Sequence, residues 1–386
     1  MAVSSGGNAV TLKQMNKTEI LQTLLQHAPL TKTEIASLAK ITFATVSNLL
    51  TELESDGLIR ELGFADSHGG RKPLLYGINP SAYSFLGVDV QIERIICILA
   101  DFEGKVLDSC STEFDVELGP RVAVQKIREL AEQLLTLTNT SIERIAGIGV
   151  STPGPIDEVN GVILSPPNMP GWKNVPFRAM VQQEFQVETY LEKDANAAAF
   201  GETRFGAGQG IQNLIYIMAD IGIGGGIIFH GNIYRGFLNG AGEIGHMLME
   251  TKGPRCNCGN SGCLEAVASG SAIEKLLSGH IDSPGLHQVL REETTDAFAH
   301  EILSRAGRYL GLAISNVANL LNPEMIVLGG SLVMNSETYF LSAQTAARQH
   351  ILPEFANRIR IERAKLNDFS GAIGAAMIAF HKNFAG

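Results

Sequence analysis

The chain has 386 residues, 45% hydrophobic and 18% charged, a composition that suits a soluble protein with more than one buried core. No apolar run reaches the ~18 residues of a membrane span, and the first residues lack a charged-then-apolar leader, so membrane spans are excluded and a cytoplasmic protein is expected. Net charge is −10, yet residues 1–80 balance seven Lys/Arg against seven Asp/Glu, so the later residues carry all the excess acid and are excluded as general nucleic-acid binders.

Residues 1–15 are polar and expected to be mobile. Asn16-Lys17-Thr18-Glu19 has the form of a capping box opening a helix with Ile20, Leu24 and Ala28 on one face. Thr31-Lys32-Thr33-Glu34 is a second capping box, leading into Ile35, Leu38 and Ala39. Thr42 caps a third helix whose Val46, Leu49, Leu50 and Leu53 form an apolar stripe. Asp56-Gly57 ends it, because glycine accepts the left-handed cap. Two strand-like runs, Leu58–Leu62 and Leu74–Ile78, flank a loop containing His68-Gly69-Gly70-Arg71-Lys72-Pro73. Over residues 16–80 this is the layout of a winged helix-turn-helix. Its third helix offers Thr45, Ser47, Asn48 and Thr51 to base edges or phosphates, and its wing offers Arg71 and Lys72. The competing reading is a small helical bundle that binds protein, and the cationic wing weighs against it.

From Ser84 the pattern turns to alternating strands and helices. Strands are expected at Phe85–Val90, Arg94–Asp101, Ile145–Val150, Val187–Glu192, Leu214–Ala219, Gly226–His230 and Met325–Leu328. Helices are expected at Arg121–Leu137, Ala195–Phe205, Thr294–Leu321 and Gly371–His381. The expected class is α/β, with residues 81–386 forming a body of two lobes that divide near residue 193. Asp220–Gly226 reads as a glycine-dense turn, and Gly329-Gly330 follows the last strand. Such turns can cradle phosphate, although hairpin geometry alone also favours glycine.

Three of the five cysteines crowd into one short stretch: Cys256, Cys258 and Cys263, with His246 upstream. Three thiolates and one imidazole make a full tetrahedral set for Zn²⁺, which leaves no open position and marks a structural rather than hydrolytic metal. Gly259 and Gly262 let that loop fold tightly. Asn168, Asp194, Glu243 and Glu265 supply amides and carboxylates suited to sugar hydroxyls if they converge. Taken singly, each has an equally ordinary reading as a cap or turn residue.

Together these motifs resemble the ROK family of repressors, open reading frames and sugar kinases, and within it the repressor branch. The resemblance covers about Asn16 to Phe380. Its most specific part is Gly242–Glu265, with Glu-x-Gly-His and Cys-x-Cys-Gly-x-x-Gly-Cys-Leu-Glu. It implies an actin-like ATPase fold with two lobes around a sugar cleft. It places Asp194 at the kinases' catalytic base, and Glu243, His246 and Glu265 at sugar-contacting positions, with His246 also on zinc. Asn168 falls in the family's Pro-Asn-x-x-Gly-Trp element. Two departures oppose catalysis. Asp89-Val90 is followed by Gln91, Ile92 and Glu93 where kinases carry Gly-Gly-Thr, and Asp220-Ile221-Gly222 replaces a Gly-Thr-Gly-x-Gly loop. A third departure is Lys193, where sugar-binding members commonly carry Asn; it could pair with Asp194 or favour a negatively charged effector. The resemblance thus implies a non-enzymatic, zinc-bearing repressor: a homodimer or higher oligomer on operator DNA, released by xylose, glucose, N-acetylglucosamine or another sugar. The rival is a working sugar kinase fused to a DNA-binding domain, and control by a partner protein is a third possibility.

Overall fold

The computed structural model describes residues 5–66, 72–278, 290 and 296–384. The N-terminal unit comprises α1 (Ser5–His27), β1 (Leu30–Thr31), α2 (Lys32–Leu38), α3 (Phe43–Ser55), β2 (Ile59–Phe64) and β3 (Leu74–Ile78). Helix α1 begins well before Asn16, so that residue lies inside the helix and does not cap it. The physical reason is an anchor on α3: Lys13 and Lys17 reach Glu52 at 2.8 and 3.1 Å, and Lys17 also reaches Asp56 at 3.1 Å. Ala28 in turn falls outside the helix, exposed, because the following Pro29 disfavours a helical residue before it.

The other two caps form as the sequence predicts. Thr31 Oγ1 accepts Glu34 N at 3.3 Å while Glu34 Oε2 accepts Thr31 N at 2.8 Å, and Thr42 Oγ1 accepts Thr45 N at 3.3 Å. Val46, Leu49, Leu50 and Leu53 are buried with Ile20, Leu24 and Ile35. The ribbon gains a third strand, in the order β1-β3-β2, which completes the winged helix-turn-helix.

The body starts with the antiparallel meander β4 (Ser84–Val90), β5 (Arg94–Asp101) and β6 (Val106–Glu113). After α4 (Pro120–Leu137) come β7 (Ile145–Thr152), the hairpin β8 (Ile156–Asp157) with β9 (Val162–Ile163), α5 (Phe177–Phe185), and β10 (Thr189–Lys193). The first sheet has the order β10-β7-β4-β5-β6. Helix α6 (Asp194–Phe205) then leads to β11 (Leu214–Ala219), β12 (Ile223–Phe229) and β13 (Asn232–Ile233). Helices α7 (Leu264–Ala268), α8 (Gly270–Leu277) and α9 (Ala297–Leu321) follow, then β14 (Met325–Gly329) and α10 (Ser331–Asn335). The chain finishes with α11 (Glu337–His350), α12 (Pro353–Ala356), β15 (Arg360–Arg363) and α13 (Ser370–Phe384). The second sheet has the order β13-β12-β11-β14-β15, so two sheet-and-helix lobes stand side by side.

The expected turn at Asp220–Gly226 is shorter than its glycines suggest, because Gly224, Gly225 and Gly226 belong to β12. Glycine is there for close packing: a Cβ at Gly226 would stand 2.2 Å from the Ala195 carbonyl oxygen of α6. Helix α13 returns from the chain's end and packs across β4, β7 and α6, between the lobes.

Candidate functional site

On the third helix of the N-terminal unit, Asn48 and Thr51 are exposed, whereas Thr45 and Ser47 are half-buried. Thr45 shares a 2.8 Å hydrogen bond with Thr42, and Ser47 accepts one from Lys32 Nζ at 3.2 Å. Those two hydroxyls therefore already serve the fold, as does that of Thr51, which donates to the Ser47 carbonyl at 3.1 Å, and Asn48 presents the freer polar group. Lys72 is exposed, and Arg71 lies outside the described residues. Phe43, at the first position of α3 and 56% exposed, is a surface residue the sequence reading passed over.

The four metal-type ligands converge. Donor atoms of His246, Cys256, Cys258 and Cys263 all lie within 4.8 Å of one another. Cys258 Sγ is 3.7 Å from Cys263 Sγ, and Cys256 Sγ is 3.8 Å from His246 Nδ1. A tetrahedral ion with ~2.3 Å sulfur bonds demands sulfur–sulfur edges of ~3.8 Å, which the Cys258–Cys263 pair at 3.7 Å matches. Gly262 closes the loop with φ of +75°, where a Cβ would stand 1.7 Å from the Glu250 carbonyl oxygen.

Beside this cluster runs the cleft between the lobes. Glu265 Oε1 lies 3.7 Å from Cys256 Sγ, and its Oε2 accepts Ile223 N, at the start of β12, at 3.2 Å. Asn168, from the loop after β9, accepts Asn257 Nδ2 at 3.2 Å across the cleft. Asp194 starts α6, and burial together with the nearby Asp89 carboxylate pushes its carboxyl up to about 7. Lys193 does not pair with Asp194. Its Nζ crosses to the second lobe and donates to Glu243 Oε1 and the Ala241 carbonyl, both at 2.9 Å. The preceding residue, Glu192, makes a second crossing and accepts Arg235 Nε at 3.0 Å. Sequence reasoning missed Glu192, Arg235 and Asn257; only the place of Asn257 between two cysteines gave any signal.

Side chains surround the Asp89 carboxylate on the first lobe. Gln91 Nε2 donates to Asp89 Oδ2 at 2.7 Å and Ser151 Oγ to Asp89 Oδ1 at 2.6 Å, while Gln91 Oε1 accepts Arg94 Nε at 2.6 Å. Ile92, Glu93, Phe114, Asn168, Pro170 and Ile221 line a cavity of about 430 Å³. On the other side, Asp220 Oδ1 accepts Ser331 Oγ at 2.7 Å, and the Ile221 carbonyl accepts Ser271 Oγ at 2.9 Å. No helix among the described residues is long and apolar enough to cross a membrane.

Comparison with known proteins agrees with this layout. The family model described as ROK family matches residues 85–382, and that described as MarR family matches residues 13–62. The protein named Xylose repressor of Caldicellulosiruptor bescii is 32% identical over 384 residues, which span 95% of this chain and 96% of its own. The Glucokinase of Thermotoga maritima is 32% identical over 311 residues, 76% of this chain and 96% of its own. The solved structure of a ROK family transcriptional regulator, a homologue of the Escherichia coli MLC protein, shares the fold with a TM-score of 0.81. It is 24% identical and covers 97% of this chain and 98% of its own.

Proposed function

Since the chain belongs to the ROK family, we propose that it is a sugar-responsive transcriptional repressor whose effector sits in the cleft between the lobes. One observation carries this reading above the others: the helix-turn-helix and the cleft together align over nearly their whole length with a protein named Xylose repressor. In the proposed complex Thr45, Ser47, Asn48, Thr51, Arg71 and Lys72 face operator DNA. Two subunits bind two half-sites, as a palindromic operator requires. Asn168, Asp194, Glu243, His246 and Glu265 face the effector, for which a sugar of the xylose, glucose or N-acetylglucosamine type fits the hydrogen-bonding groups.

The ion suited to His246, Cys256, Cys258 and Cys263 is Zn²⁺, with a structural role. It would supply fixed geometry to the loop that carries Glu265, and no chemistry beyond that. Helix α13 is suited to carry the signal. At its start, Gly371 abuts Asp89, where a Cβ would meet the carboxylate at 2.8 Å. At its end, Phe384 packs on Tyr83, 5.8 Å between ring centres, directly after the wing. An effector that binds one lobe arrangement more tightly shifts the population toward it, and the paired DNA-reading helices follow.

The kinase reading is less well supported. Gln91 and Ser151 occupy the Asp89 carboxylate, and Ile92, Glu93 and Ile221 stand where backbone would have to approach phosphate closely. Asp194 matches a catalytic base in position only. The experiment is selection of DNA from a random pool by the zinc-loaded full chain. Its release by a sugar panel is then measured beside a coupled assay for sugar phosphorylation from ATP. Selective DNA released by one sugar, with no turnover, is expected. Phosphorylation of a sugar, or failure to select any DNA sequence, overturns the reading.

A further inference from the structure

Among the described residues, the cations Lys193 and Arg94 that reach this cleft from the first lobe are each matched by a carboxylate. The Lys193 side chain is 6% exposed, its stem lies against Gly154, and its ammonium is held by Glu243 at 2.9 Å. Arg94 is held by Asp368 at 2.9 Å. From the second lobe, Arg235 is held by Glu192. The acids are not matched in the same way. Asp194 feels Asp89 and Glu243 as like charges against the single opposite charge of Lys193, which Glu243 already holds, and Glu265 lies on the opposite wall with its Oε2 on Ile223 N. An incoming phosphate, carrying about −1.5 to −2 charges, would meet this surplus, and Lys193, Arg94 and Arg235, the cations described at the cleft, are each already held by a carboxylate. A neutral polyol needs only acceptors and donors, which Asp194, Glu243, Glu265 and Asn168 supply.

We propose that the Lys193–Glu243 pair makes the cleft selective for an uncharged, polyhydroxylated effector and against its phosphate ester or sugar acid. This rests on the sugar-effector reading above and specifies the ligand class. Lys193 thereby acts as a specificity-determining residue: it neutralises Glu243 and fixes that side chain across the cleft without becoming an anion site.

Titration calorimetry on the zinc-loaded full chain tests this. The panel consists of aldopentoses, aldohexoses and N-acetylhexosamines, each beside its phosphate ester and its aldonic acid. The parent should bind at least one neutral sugar, and bind its charged forms at least ~100-fold more weakly. Glu243→Gln keeps the shape but leaves Lys193 unmatched, and should gain ~10-fold or more in affinity for the ester. Lys193→Met should weaken the neutral sugar by ~10-fold and leave the ester as weak as before. Zinc content and circular dichroism establish that both variants are folded. An ester that binds the parent as tightly as the sugar does, or a Glu243→Gln protein with no gain for the ester, overturns the proposal alone. If neither neutral nor charged sugars bind, the sugar-effector reading itself fails.

Discussion

Cys256 and Glu265 stand 3.7 Å apart, sulfur to carboxylate oxygen, so one side chain links the histidine–cysteine cluster to the cleft wall. The other oxygen of Glu265 holds the start of β12 through Ile223 N. Releasing the loop should therefore disturb the effector wall as well as the metal. We predict that Cys258→Ser, which removes one of the four ligands, loses the bound ion and weakens effector affinity by ~10-fold or more, because Glu265 loses a fixed neighbour. Elemental analysis and calorimetry on the same preparation check it; an unchanged sugar affinity in metal-free protein would separate the two sites.

Asp194 sets a pH dependence with a definite sign. Its carboxyl titrates at about 7 in the folded protein, against ~4 for an unfolded chain. The folded state thus holds the proton more tightly. Its stability is fullest below the unfolded value and falls as pH rises toward 7. Asp194→Asn cannot titrate there, so its Tm should fall less than the parent's between about pH 5 and about pH 8, and exceed it at the upper end. Melting curves at several pH values decide; parallel profiles would contradict the assignment.

In the DNA-facing unit, the exposed Asn48 and Lys72 should behave differently. Asn48→Ala should cost ~1–3 kcal/mol on the selected DNA and relax discrimination at one base pair, the signature of base contact. Lys72→Ala should weaken binding to all sequences and lower the salt slope by about one unit, the signature of phosphate contact. Binding to matched and mismatched DNA at two salt concentrations distinguishes them. Thr45→Val should instead reduce helix stability, because that hydroxyl is bonded to Thr42 at 2.8 Å.

Phe384 packs on both Tyr83 and Phe102, with ring centres 5.8 and 4.9 Å away. It sits where α13 meets the segment that follows the wing. We predict that Phe384→Ala leaves sugar and DNA affinities close to the parent's when each is measured alone. The factor by which sugar weakens DNA binding should shrink, by ~0.5–2 kcal/mol of coupling. A full thermodynamic cycle of the four binding constants tests this. An unchanged coupling factor would show that the signal travels elsewhere.

Local chemistry made much of this protein legible in its sequence. The Thr31–Glu34 capping box, the Thr42 cap and the Val46–Leu53 stripe act within one or two helical turns, so their spacing alone places α2 and α3. The His246, Cys256, Cys258 and Cys263 ligands lie close enough in sequence for their chemistry to announce a shared ion. Where partners are far apart, sequence spacing said little. Strand β6 alternates polar residues along its length, and helix α11 buries mainly small alanines, so neither carries a strong apolar period. The glycines of β12 read as a turn in sequence, but Gly226 makes room for Ala195 of α6 and Gly225 for Gly242 and Ile244, partners that local spacing does not reveal. Lys193 is the clearest case: in sequence its neighbour is Asp194, but in the folded chain its partner is Glu243. The sequence by itself determined the kinds of groups available: caps, thiolates, carboxylates and a cationic wing. Only the tertiary structure decided which carboxylate neutralises which cation across the cleft, because a buried charge is matched by whatever the two lobes bring within ~4 Å of it.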